Sequence, residues 1–128
     1  MFGLLNIFGR SAAFKAVDRA LRTAGLHPAL VPESVKLTIL RLHSTEAGPE
    51  TRTGQDAFDE AALLFAYCML GRDQFIDANS VSAADRAERR LEWAIVAGES
   101  LDAQLILLAH HSGLIHGEIA DRIDVEKN

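Results

Sequence analysis

The chain has 128 residues, 48% hydrophobic and 24% charged. That balance belongs to a globular protein and not to a disordered one, and the length suits one domain spanning residues 1–128. A single cysteine, Cys68, excludes an intramolecular disulfide. No charged leader with a small-residue cleavage site opens the chain, and no apolar run reaches the roughly 20 residues a bilayer demands, so a cytoplasmic protein is expected. The net charge of −5 is unevenly placed. Residues 1–43 hold six Lys/Arg against two Asp/Glu, and the remainder holds seven against sixteen. Such asymmetry fits two parts of one fold that attract each other, or a basic part that meets an acidic partner.

Helix punctuation dominates the pattern. Ser11 is placed to cap a helix running to about Ala24, with Phe14, Val17, Leu21 and Ala24 on one face. Residues 1–10 then form an apolar N-terminal leader. Gly25 stands where a left-handed residue closes a helix, and Leu26 can fold back on Leu21. Residues 35–42 are ambiguous. Val35, Ile39 and Leu42 share a helical face, but Val35 to Ile39 also alternates as a strand does, and a helix is preferred because no other segment offers a pairing partner. Residues 44–54, punctuated by Gly48-Pro49 and Gly54, read as an exposed loop. The most apolar segment, Gln55 to Leu70, is expected to be the central helix, ended by Gly71, with a short helical turn over Asp73 to Ala78.

Further on, Ser82-Ala83-Ala84-Asp85 resembles a capping-box start for a helix that closes at Gly98. Ser100 caps the next, which ends at Gly113. Ile115, Ile119 and Ile123 line a last short helix, and residues 124–128 are expected to fray. The sum is an all-α bundle, a compact single domain of about five longer helices plus one or two short ones. No internal repeat is visible.

Little in the chain forces a chemistry. His110, His111 and His116, with Glu118 close by, are the densest set of metal-ligand residue types and support an alternative reading as a small metal- or ligand-binding helical enzyme. Their spacing opposes a prepared site, because adjacent histidines on a helix diverge by about 100°. Gly-x-Ser-x-Gly, phosphate-loop and His-Glu-x-x-His motifs are all missing. No catalytic residue, metal or cofactor is therefore assigned.

The segment Leu107 to Val125, with Gly113-Leu114 followed by Glu118-Ile119-Ala120-Asp121-Arg122-Ile123, is similar to region 4 of bacterial sigma factors. There a Gly-Leu turn leads into the first helix of a helix-turn-helix. The resemblance implies such a helix here. DNA contact does not carry over: the segment is acidic where phosphates require cations, and no recognition helix follows before Asn128. Nucleic acid is not an expected partner.

The N-terminus offers more. Phe2, Leu4, Leu5, Ile7 and Phe8 precede a basic helix with Arg10, Lys15, Arg19 and Arg22. That arrangement suits a core or self-association face, docking on another protein, or attachment to an anionic membrane surface. Trp93 lies off the apolar stripe of its helix, as a residue at a subunit contact would. The leading expectation is a non-catalytic interaction or regulatory protein, homo-oligomeric through its N-terminal segment, with itself or another protein as partner.

Overall fold

A computed structural model describes the backbone of residues 2–43 and 52–127, and the side chains of residues 12, 14–43 and 56–123. It is all-α, with no strand among the described residues. The helices are α1 (Phe2–Thr23), α2 (Glu33–His43), α3 (Arg52–Ala78), α4 (Val81–Ala97), α5 (Leu101–His111) and α6 (Gly117–Lys127), with a 3-10 turn at Pro28–Leu30 between the first two. The ambiguous residues 35–42 are helical. Val35, Ile39 and Leu40 are buried and Leu37 packs at the edge of the core, so α2 is covered on more than one side, as its apolar residues on opposite faces predict.

The centre is α3. Leu64, Phe65, Ala66, Tyr67 and Cys68 are consecutive and all buried, which spans more than a full turn. A helix buried around its whole circumference must be packed by other helices on every side. Here α1, α2, α4 and α5 all lie against it, and α6 touches it at one end. Ala61, Ala62 and Ala66, each buried, keep those approaches short. Gly71 breaks the helix, with φ 81° and ψ 168°, and the chain resumes helical geometry to Ala78, with Phe75 fully buried.

Several boundaries differ from the sequence reading. Ser11 caps nothing: α1 starts at Phe2 and runs through it without interruption. The leader contains Leu4 and Leu5 and no proline, and two glycines are not enough to stop a helix. Gln55 is likewise not the start of α3, which begins at Arg52, so part of the expected loop 44–54 is helical, while residues 44–51 lie outside the described residues. The expected frayed tail is helical as far as Lys127. Ser80, and not Ser82, caps α4, its hydroxyl accepting from the Ala83 amide at 3.0 Å. Asn79 is the reason. Its side-chain amide donates to the Ala24 carbonyl at 2.8 Å and to Phe75 at 3.3 Å, tying the end of α3 to the end of α1. Ser80 is then the first extended residue after that clamp and takes the cap.

The close of α1 matches expectation. The Leu26 amide donates to the Leu21 carbonyl at 2.9 Å and that of Gly25 to Arg22 at 3.0 Å, with both leucines buried. Gly25 has φ 90°, and a Cβ there would stand 2.3 Å from the Ala78 Cβ. Gly113, at φ 75°, faces open space. Gly113→Ala is therefore expected to cost only the left-handed penalty of about 1–2 kcal/mol. Gly25→Ala adds overpacking of about 1–3 kcal/mol at the α1–α3 junction. Urea unfolding of the two variants measures the difference, and equal losses would show that the junction does not constrain the backbone.

Candidate interaction site

The run Asp85-Arg86-Ala87-Glu88-Arg89-Arg90-Leu91-Glu92 alternates charge in a way that looks like an ordinary solvated face. At 100° per residue most of it sorts by sign. Asp85, Glu88 and Glu92 share one flank of α4, Arg86 and Arg90 share the other, and Arg89 stands on the outward crest between them.

The acidic flank is engaged with the rest of the chain. Arg72 donates to Asp85 at 2.7 Å. Glu88 accepts the Tyr67 hydroxyl through one oxygen and pairs with Arg122 of α6 through the other. This pair holds α6 against the body together with buried Ile119 and a backbone bond from the His116 amide to the Cys68 carbonyl at 2.8 Å. That carbonyl lies just before the break at Gly71, where the intrahelical ladder is interrupted, and α6 enters through the gap.

The basic flank behaves differently. Arg90 grips Asp102 with two parallel bonds, Nε to Oδ2 at 3.0 Å and Nη2 to Oδ1 at 2.9 Å, and its Nη1 donates to the Glu60 carbonyl at 2.8 Å. One guanidinium thereby staples α3, α4 and α5 together, a task that needs the planar fork of arginine. Among the described residues Arg86 and Arg89 make no ion pair or hydrogen bond. They rim a recess of about 380 Å³ between α3 and α4, floored by Leu63, Ala83 and Ala87 and ended by Trp93. A second recess of about 450 Å³ shares Leu63, Ala83 and Arg86 with the first and continues to Ala20 and Ala24 of α1. The two make one trough along α4. It ends at Trp93, which is 72% exposed, and beyond the recess, one turn further along α4, Val96 is 79% exposed.

Of the residues singled out in the sequence, Trp93 belongs to this trough. Lys15, Arg19 and Arg22 are exposed on α1 and are not among the residues that line it. Phe2, Leu4, Leu5, Ile7, Phe8 and Arg10 lie on the first turns of α1, and their side chains fall outside the described residues. His116 has a structural post: its Nδ1 accepts from the Glu118 amide at 3.2 Å at the start of α6, and its ring lies 3.0 Å from where a Cβ on Gly71 would stand. His110 and His111 put their rings edge to face, 5.7 Å apart, and Glu118 is exposed. Among the described residues no three His, Cys, Asp or Glu side chains are placed to hold a metal ion. Burial pushes the Cys68 thiol up to about 12, far from the thiolate a nucleophile needs. Burial also lowers His43, whose Nδ1 lies 3.2 Å from the Ile39 carbonyl.

The sequence reading missed Arg86 and Arg89 as a pair. The helical wheel could have separated the arginines from the acids, but it could not say which flank is satisfied inside the fold.

Tyr67 reports on the acidic flank. Burial first, and then the bond to Glu88, pushes its hydroxyl up from 10.0 to about 12. It is the sole tyrosine, so phenolate absorbance reads it without deconvolution. Folded protein is expected to titrate near 12, and Glu88→Gln to bring the midpoint part of the way back. Because the unfolded phenol ionises first, stability is full below pH 10 and falls as pH rises toward 12. An ordinary midpoint in the folded protein would mean that Tyr67 is neither buried nor bonded to Glu88, and a raised midpoint unchanged by Glu88→Gln would mean that the bond does not form.

Comparison with protein-family models, with curated proteins and with solved structures finds no match.

Proposed function

We propose that this protein is a non-catalytic helical interaction module that binds another protein chain through the outer face of α4. The observation that carries the reading is the combination at one place of an exposed tryptophan, an exposed valine one turn away and a recess rimmed by two unpaired arginines. Tryptophan and arginine are the residues most often found at the energetic centre of protein interfaces. Single exposed apolar residues are ordinary on any surface, but a tryptophan at the end of an apolar-floored trough leaves water in contact with surface that a partner would release. Nothing comparable supports catalysis: the thiol is neutral and sealed, and the histidines cap or end helices.

Work in the cytoplasm belongs to the same reading, supported by a lone buried cysteine and by the fact that, among the described residues, no helix is long and apolar enough to cross a membrane. Self-association through Phe2 to Arg10 is a further part of it. That segment is continuous in its helical backbone with the packed part of α1.

Site-specific crosslinking tests the proposal. A photoreactive residue in place of Val96 is expected to trap a defined protein adduct in native extract, and the same residue in place of exposed Arg41 on α2 is not. Trp93→Ala should abolish the adduct while helicity is unchanged. The reading fails if both positions trap the same proteins, or if Val96 traps none.

A further inference from the structure

We infer that the α3–α4 trough is a seat for an acidic amphipathic helix, whose apolar ridge enters the trough while carboxylates three or four residues apart meet Arg86 and Arg89. The inference rests on the interaction reading and specifies the chemistry of the partner.

Shape comes first. Between Ser80 and Trp93 the wall formed by α4 is about 20 Å long at 1.5 Å per residue, which matches a partner helix of about four turns. Ala83 and Ala87, four residues apart, leave a groove between larger neighbours, the surface on which ridges of another helix pack. At its far end Ala20 and Ala24 of α1 extend the same small-residue floor. A concave seat with an apolar floor calls for an inserted ridge, and a flat lipid surface does not provide one.

Charge then selects the partner. The net charge of −5 would by itself repel an acidic segment. At the trough three cations, Arg86, Arg89 and Arg90, face three acids, Asp59, Glu60 and Asp102, so the local charge is even and the partners taken inside the fold decide what is left over. Glu60 lies 3.5 Å from Arg90, Asp102 is held by the same guanidinium, and Asp59 is engaged within the chain. Of the cations that line the trough, Arg86 and Arg89 are left without a partner among the described residues. They are three residues apart on α4, and so are neighbours on one side of the helix. A partner helix with carboxylates at i and i+3 or i+4 repeats that spacing. Trp93 closes the end of the seat, where a large apolar residue of the partner would cover it.

The test uses a displayed library of random 14-residue peptides selected on the whole protein. Enriched peptides are expected to combine Leu, Ile or Met at helical spacing with Glu or Asp three to four residues apart. Trp93 is the only tryptophan, so a blue shift of its emission follows binding of an enriched peptide directly. Replacing the peptide's Glu with Gln should weaken binding about fivefold or more, as should Arg86→Glu with Arg89→Glu, at values typical of two exposed ion pairs. A peptide with Lys in place of Glu should recover affinity for the doubly reversed variant. Both arginines are exposed, and circular dichroism checks that the variant stays folded.

Enrichment without acidic residues, no enrichment, or equal affinity for Glu and Gln peptides overturns the inference. So does a blue shift with vesicles of anionic lipid and none with peptide. A failed selection alongside a specific adduct at position 96 leaves the interaction reading standing and removes only the acidic helix. Failure of both removes the site.

Discussion

Everything in this fold is arranged around a helix that cannot face water. Residues 64–68 of α3 are buried on every side. At about 25 cal/mol per Å² of apolar surface, exposing any flank of Phe65 or Leu64 would cost kilocalories in a protein whose net stability is on the order of 10 kcal/mol. The surrounding helices therefore satisfy α3 first and each other second. Even its end is used: the break at Gly71 interrupts the hydrogen-bond ladder and opens the Cys68 carbonyl to the His116 amide, which is how α6 joins.

The same constraint explains why α4 is sorted by charge. One flank of α4 looks toward the hydroxyl of Tyr67 and toward Arg122, and both require an acceptor. Glu88 serves them, and Asp85 similarly answers Arg72. Burying a polar group without a partner is expensive, so the acids are drawn to that flank. Arg86 and Arg90 then fall on the opposite flank by helix geometry, and Arg89 on the crest between the two. One of the three is used to hold α3 and α5, and two are left. The positive rim of the trough is thus a by-product of satisfying the buried side, available for recognition at no further cost to folding.

Legibility from sequence followed the range of the interactions. Local devices were readable: the Gly25 closure with Leu26 over Leu21, the Ser100 cap, and the stop at Gly71 all depend on residues within a few positions of one another. What depended on partners far along the chain was not. Ser80 replaces Ser82 as the cap because Asn79 reaches Ala24, 55 residues away. The histidines drew attention as metal-ligand types, yet His116 is set by a backbone carbonyl 48 positions earlier and by a glycine that leaves room for its ring. Trp93 was legible as an outlier on its wheel. The trough beside it was not, because half of its lining comes from α3 and α1.

The lopsided charge of the chain also takes on a different meaning. The pairs Arg72–Asp85, Arg90–Asp102 and Arg122–Glu88 join residues within the acidic part, and Lys36–Asp18 at 2.9 Å joins two residues within the basic part. Each of these four pairs joins charges from one stretch of sequence, and none of the four expresses attraction between the two parts. Within the acidic part the cations are few, and Arg72, Arg90 and Arg122 are tied to the fold. Among the described residues of that part Arg86 and Arg89 are the exceptions, and they stand together. In a chain with such an excess of acid, two adjacent cations left unpaired beside an exposed tryptophan are the surface feature least accounted for by the needs of folding.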